Sequence, residues 1–417
     1  MLNGPFAPWP SFTQEEADAV SRVLLSNKVN YWTGTESREF EREFADFAGT
    51  THAIALANGT LALDLALHGL GIGAQNGGRD TDEVIVTPRS FIASASAIVN
   101  AGARPVFADV DADSQNISPD TVKPCITDNT RAVLCVHLAG WPCDMDGIRT
   151  CLGDRDIKLI EDCAQAHGAR YKGRPVGGLG DVGAWSFCQD KIMTTGGEGG
   201  MVTCNDKALW KKMWAFKDHG KSWDAVYQRD HPPGFRWLHE GFGTNWRITE
   251  MQSVIGRIQL ARMPDWQAAR GKNAAALSIA LQPFCHANGP VRLPMPEGVG
   301  GVESDTKRNT EPDYVHAWYK FYAFVQPFGL ASGWTRDRIV TQINNLGVPC
   351  MQGSCSEMYV EKAFDGTTFR PATPLPVARG LGETSLMFLV HPSLTAEDIA
   401  KTCDAVTQVL TKASKTS

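Results

Sequence analysis

The chain's 417 residues are 43% hydrophobic and 21% charged, ordinary values for a soluble globular protein with material for two sizeable cores. A formal charge of −6 with no clustered Lys/Arg run excludes the basic footprint of a nucleic-acid partner. No apolar stretch nears the roughly 20 residues that cross a bilayer, and Met1-Leu2-Asn3-Gly4-Pro5-Phe6 lacks the basic and apolar regions of an export signal, so the expectation is a cytoplasmic protein with no membrane partner.

Thr13 caps a predicted helix, with Glu16 completing a capping box ahead of Ala17, Val20, Val23 and Leu24. Phe40, Phe44 and Phe47 recur at helical spacing and predict a second helix over 39–47. Residues 53–57 read as a short strand, Asn58-Gly59-Thr60 as a turn, and the stretch to Leu70 as a helix. The same grammar repeats as strand 82–87, helix 91–101 and strand 105–108. Strands over 132–138, 158–161, 183–187 and 199–204 follow, then a helix over 208–218. Strands alternating with helical stretches predict an α/β fold whose mostly parallel sheet is covered on both faces.

Beyond about position 265 the texture changes. A helix over 266–281 leads into a Pro/Gly-rich polar segment, 283–311, expected to form surface loops. Strand 317–325, helix 335–346, strand 386–390 and a capped helix over 395–410 then predict a smaller α+β domain. The expected boundaries are therefore 1–265 and 266–417, with a frayed tail from 412 onward. The eleven cysteines form no CxxC pair and read as free thiols of a reducing compartment. Cys350 and Cys355 lie close but lack further ligands, so no metal is expected.

Two residues carry the chemistry. Asp162 ends the apolar run Leu159-Ile160-Glu161, and the carboxyl end of a parallel strand is where open α/β sheets bind ligands. Lys191 follows the next apolar strand and precedes Thr194-Thr195-Gly196-Gly197-Glu198-Gly199-Gly200, where glycine backbone permits close approach of a cofactor. A carboxylate facing a pyridine nitrogen keeps the ring protonated and electron-accepting, and a nearby lysine amine forms an imine and shuttles protons. Asn58-Gly59-Thr60 offers backbone N–H groups to a phosphate at a helix start. Gln165 is placed to reach a ring hydroxyl, and Phe91 to stack on a planar ring. Gly177-Gly178-Leu179-Gly180-Asp181-Val182-Gly183 precedes a strand instead of following one, so it is read as a turn and not a dinucleotide loop.

These motifs, in this order, resemble one family over nearly the whole chain. They run from Asn58-Gly59-Thr60-Leu61-Ala62-Leu63 through Glu161-Asp162-Cys163-Ala164-Gln165-Ala166-His167-Gly168 to Ser186-Phe187 and Lys191. They continue in Asp218-His219-Gly220, Gly243-Thr244-Asn245-Trp246-Arg247 and Val390-His391-Pro392-Ser393-Leu394-Thr395. The set is similar to the DegT/DnrJ/EryC1/StrS group of pyridoxal-phosphate-dependent sugar aminotransferases. The resemblance implies the aspartate-aminotransferase-like fold, PLP fold type I, with a mostly parallel seven-stranded sheet. It implies that Lys191 forms the Schiff base with pyridoxal 5'-phosphate and that Asp162 pairs with the pyridinium nitrogen. Gln165 would contact the ring hydroxyl, Phe91 would stack on the ring, and Gly59, Thr60 and Ser186 would hold the phosphate. Asn245 would reach the phosphate of a neighbouring subunit, making the active unit a homodimer. His137 and His219 match positions near the substrate.

The implied reaction moves an amino group from L-glutamate, through pyridoxamine phosphate, to a nucleotide-linked keto-sugar, with Lys191 carrying the proton in both halves. Three rivals stand beside it. The sugar 3-dehydratases of the same group carry histidine at the lysine position, where this chain has Lys191. A sensor protein on the same fold would show a degraded site. An amino-acid aminotransferase would bind the substrate carboxylate with a small-domain arginine, for which Arg336 and Arg338 are the candidates. Ala74-Gln75-Asn76-Gly77-Gly78-Arg79 departs from the family pattern and is read as a surface insertion.

Overall fold

A computed structural model describes residues 6–294 and 313–415. Seven strands form the large sheet: β1 (His52–Leu56), β2 (Glu83–Val86), β3 (Arg104–Phe107), β4 (Thr130–Val136), β5 (Lys158–Asp162), β6 (Val182–Ser186) and β7 (Gly200–Cys204). Their spatial order is β1-β7-β6-β5-β4-β2-β3, parallel throughout except for β7, which runs antiparallel to both neighbours.

Alternation along each strand explains the continuous apolar runs. Ile85, Val133 and Leu159 join Phe40, Phe44 and Trp185 in the core on one face. Val84, Val86, Leu134 and Ile160 join Leu63, Leu67 and Trp214 on the other. A sheet covered on both faces has no polar side to show, and each fully buried Val, Leu or Ile contributes about 1.5–3 kcal/mol. The first helix spans Gln14–Leu25, and the Glu16 carboxylate accepts the Thr13 N–H at 2.6 Å, as the capping box requires.

A second sheet of β8 (Val291–Arg292), β9 (Phe321–Val325), β10 (Cys350–Met351) and β11 (Ser385–Phe388) is antiparallel, in the order β8-β9-β11-β10. It packs on the helices Met263–Leu281, Arg336–Asn345 and Ala396–Ala413, and Phe6 joins the same core. Buried polar contacts pin the two sheets together. Arg89, wholly buried beyond the end of β2, donates to Gln115, to Ser356 Oγ at 2.7 Å and to Ser385 Oγ at 3.3 Å. Asp109 accepts the N–H groups of Val377 and Ala378 at the start of the helix Pro376–Thr384.

Several expectations shift. The helix after β2 begins at Ala93, which leaves Phe91 outside it. The strand expected from 317 begins at Phe321, because Trp318 takes a left-handed φ of 52° and the preceding residues form a loop. That loop is tied to the large sheet: Ala317 N–H donates to the Gly140 carbonyl and Tyr319 N–H to the Ala139 carbonyl. Helices Met145–Leu152 and Glu250–Ala261 went unread. The tail is held as far as Lys415, whose N–H bonds the Gly329 carbonyl at 3.0 Å, so it does not fray at 412. Residues 74–79 lie on the surface around a 3-10 turn, Ala74–Asn76. The expected loop segment 283–311 falls outside the described residues from position 295 on.

Candidate active site

A cavity of about 970 Å³ opens at the carboxyl ends of β4, β5 and β6. Gly59, Thr60, Phe91, Asp162, Gln165, Ser186 and Lys191 all line it, so seven residues spread over 133 positions converge on one space.

Asp162 lies at its floor, 6% exposed. Its carboxylate accepts the Ser94 hydroxyl at 2.9 Å and the Ala164 N–H at 3.1 Å. Burial pushes this carboxyl up from the ordinary carboxylate range, against those two hydrogen bonds and the charge of Lys191. An anion held at such a cost favours a cation brought beside it, which is what a protonated ring nitrogen supplies.

Lys191 sits in a turn just past β6, its N–H bonded to the Cys188 carbonyl and its own carbonyl accepting the Trp9 indole N–H at 2.8 Å. The side chain is 15% exposed, with Nζ 4.0 Å from Asp190 Oδ1 and 5.3 Å from the centre of the Tyr319 ring. Burial works against the charge of Asp190, yet Lys191, the Tyr319 hydroxyl at 2.5 Å and Lys320 together hold its pKa below the ordinary value.

The phosphate-sized end of the cavity is built from backbone. Asn58 caps the helix Gly59–Leu70 by accepting the Leu61 N–H at 2.9 Å, leaving the first turn of that helix facing the cavity. Gly59 is demanded by packing: a Cβ there would lie 2.5 Å from Ser186 Cβ and 2.9 Å from its Cα. Gly59→Ala is therefore expected to push the helix start away from Ser186, costing about 1–3 kcal/mol in strain and weakening cofactor binding at least tenfold. Equilibrium dialysis against pyridoxal phosphate checks this, and unchanged binding would refute it.

Gln165 spends its side-chain oxygen on the Ala139 N–H at 2.8 Å, which leaves its amide N–H groups for the cavity. Phe91 is 69% exposed and lines the space, so it is not a core phenylalanine. Of the two histidines expected near the substrate, His137 is engaged inside the protein and His219 stands outside this cavity. His137 is fully buried and does not line the cavity. Its Nδ1 accepts the Cys143 N–H at 3.0 Å, so the ring carries its proton on Nε2 and donates to Glu161 at 3.0 Å. Both ring nitrogens are engaged within the protein, and none is left for a substrate. His219 is exposed at a left-handed φ of 59°, outside this cavity. Asn245 is likewise exposed and outside it, bridged to Asp218 beside His219.

The glycine-rich segment 177–180 has a definite partner. The Glu161 carboxylate accepts N–H groups from Gly177, Leu179 and Gly180 at 2.7–2.8 Å, in addition to the His137 bond. The segment is a turn wrapped around a buried side chain. Among the described residues, His137, Glu161 and Cys163 also form the one cluster whose ligand atoms would suit a metal, but the carboxylate is already saturated by these donors.

Sequence reading missed Ser94, Trp9, Tyr319, Lys320 and His391 as lining residues. Tyr319 and Lys320 read as strand, His391 lies in the 390–395 motif, which gives it no role, and Trp9 and Ser94 carry no motif of their own. Arg336 and Arg338 do not line the cavity: Arg336 donates to the Gly382 and Ser385 carbonyls, and Arg338 lies over the Trp334 ring.

Comparison with known proteins agrees with this geometry. A solved structure, "X-ray structure of the aminotransferase from Psychrobacter cryohalolentis", superimposes with a TM-score of 0.91 at 60% identity, covering 98% of this chain and 99% of that one. The GDP-perosamine synthase of Escherichia coli O157:H7 is 39% identical over 261 residues, which is 62% of this chain and 66% of that protein. The dTDP-3-amino-3,4,6-trideoxy-alpha-D-glucose transaminase of Streptomyces venezuelae is 32% identical over 400 residues, 96% of this chain and 93% of that protein. A family profile described as the DegT/DnrJ/EryC1/StrS aminotransferase family matches residues 10–407, and the chain belongs to that family.

Proposed function

We propose that this aminotransferase uses pyridoxal phosphate to move an amino group from L-glutamate to a nucleotide-linked keto-sugar. The observation that carries the reading is the convergence of Lys191, Asp162 and the Gly59–Ser186 cradle on one cavity. The residues fit the cofactor: a buried carboxylate for the ring nitrogen, a helix start for the phosphate and an amine for the aldehyde carbon. When bound, pyridoxal phosphate supplies an electron sink for the carbanion left at the donor carbon.

Asp162 holds a proton on the ring nitrogen, itself positioned by Ser94 and Ala164. Lys191 Nζ would hold the cofactor through its aldehyde carbon and, as the amine nearest that point, would carry the proton away from the donor Cα. In the return half it delivers a proton to the carbon that receives the amine. Asp190 keeps this ammonium near the Tyr319 ring. Positioned proton transfer of this kind typically contributes about 10²–10⁴ in rate. The two halves share one site, so kinetics are ping-pong.

In this reading residues 1–265 form the cofactor domain, and 266–417 the smaller domain that supplies the opposite wall. Asn245 serves a second copy of the chain, completing its phosphate site in a homodimer. Its exposure outside its own cavity supports this, as do the exposed Phe235, Trp237 and Phe242 on the same segment. The acceptor belongs with amino-sugar synthesis for surface polysaccharides, which the names of similar proteins support.

The test is the visible spectrum of protein loaded with pyridoxal phosphate. Excess L-glutamate should bleach the cofactor band, and a panel of 3-keto and 4-keto nucleotide sugars should restore it with one member. No cofactor band would overturn the reading, and a band indifferent to glutamate would replace the donor.

A further inference from the structure

Beside Lys191 stand two cations that the mechanism does not use. Lys320 lines the same cavity, with Nζ 4.9 Å from the centre of the Tyr319 ring. Lys191 Nζ is 5.3 Å from that centre, so the two ammonium groups lie within about 10 Å of each other. Arg270 is 1% exposed beneath the same loop, where Nη1 donates to the Trp318 carbonyl at 3.1 Å. Its Nε and Nη2 are buried with no hydrogen-bond partner among the described residues. Neither Lys320 nor Arg270 forms an ion pair with a described carboxylate. The nearest acid is Asp190, already shared between Lys191 and the Tyr319 hydroxyl. Asp162 is engaged by Ser94 and the Ala164 N–H.

Glu198 and Glu361 also line the cavity, but around Tyr319 a lining ammonium without an ion pair stands in front of buried Arg270 donors left without a partner, and that local cluster suits an anion. We propose that Lys320 is the residue that binds the amino donor's carboxylate, in the field of Arg270 behind it. This rests on the aminotransferase reading, because the donor's amine must then stand at Lys191 while its carboxylate stays within the reach of a small amino acid. Lys320 is the lining cation that shares the Tyr319 ring with Lys191, their ammonium groups at most about 10 Å apart. Arg336 and Arg338 do not, since neither lines the cavity.

His391, also in the wall, does not hold the carboxylate. Its Nδ1 meets Ser393 Oγ at 2.9 Å, and that hydroxyl is spent on the Pro8 carbonyl. The ring proton is therefore on Nδ1, and Nε2 is a buried acceptor without a partner. Burial and the neighbouring Arg270 and Lys320 push its pKa down to about 3, which keeps it neutral. For Lys320, burial lowers the pKa to about 8, so its ammonium still predominates at neutral pH. A nucleoside diphosphate is the competing anion, but its bulk belongs at the cavity mouth, away from a cation that shares Tyr319 with the reacting lysine.

The experiment titrates wild type, Lys320→Met and Lys320→Arg, each loaded with pyridoxal phosphate, with glutarate in one arm and UDP in the other, by isothermal calorimetry. Glutarate carries two carboxylates and no amine, so it reports binding without turnover. Lys320→Met is expected to weaken glutarate at least tenfold, and to raise the L-glutamate concentration for half-maximal bleaching by a similar factor. Lys320→Arg should regain most of the loss, and UDP binding should not change. An intact cofactor band in each variant shows that the site has folded. Unchanged glutarate binding in Lys320→Met overturns the inference, and so does a loss confined to UDP. If wild type binds glutarate through Lys320 yet no amino acid bleaches it, the anion site stands and the aminotransferase reading falls.

Discussion

Replacing Lys191 with alanine should abolish amino transfer while the protein still folds. The side chain makes one distant ion pair with Asp190 and touches the Tyr319 ring face, so its removal costs little stability. Catalysis has no substitute for it, because among the described lining residues only Lys320 offers another amine, and that one is carried by the 316–320 loop and not by the β6 turn. The expected fall in kcat is at least 10³-fold, from loss of the proton carrier together with the cofactor anchor. Thermal unfolding should stay within about 2 °C of wild type. Partial rescue by added methylamine would show that the missing element is an amine at that point. Retention of more than a tenth of wild-type activity would sink the assignment.

Glu161→Ala should act in the opposite way, on stability before chemistry. Three backbone N–H groups and the His137 ring donate to this carboxylate, and all lie inside the protein. Removing it strands four donors, each costing about 1–3 kcal/mol when buried and unpaired. The expected loss, on the order of 5 kcal/mol, is a large part of the 5–15 kcal/mol typical of a folded domain. Urea unfolding measures it directly. Glu161→Gln should fall between, since its one carbonyl oxygen can accept from some of the donors while its amide opposes the rest. An alanine variant as stable as wild type would show that the 177–180 segment finds other partners.

The large sheet was legible because its strands are apolar on both faces and bounded by turns, so Val84-Ile85-Val86 or Val133-Leu134-Cys135 admit few other readings. Lys191 and Asp162 were legible because each follows such a strand. What stayed hidden depends on contacts between distant segments. The helix expected from Phe91 starts two residues later, although Phe91 itself lines the cavity where a stacking ring is expected. The 316–320 loop passed for strand, because its aromatic composition suits one. The Ala139 and Gly140 carbonyls just past β4, with Arg270 and Asp190, hold it at the site. The turn at 177–180 is readable from its place before a strand, but its partner, the Glu161 side chain, is not. His137 looked available because its neighbours in sequence give no hint that Cys143 and Glu161 occupy both ring nitrogens.

Arg89 and Asp109 fasten the second sheet to the edge of the first through buried side chains, and the Ala139–Tyr319 bond adds a third rivet. Walls joined in this way behave as a mould and not as jaws. Under the function proposed, an acceptor would be selected by whether its outline matches a cast already set. Enlarging the range of acceptors calls for carving the lining itself, because loosening the joints would blur the placement of Lys191 for every substrate alike.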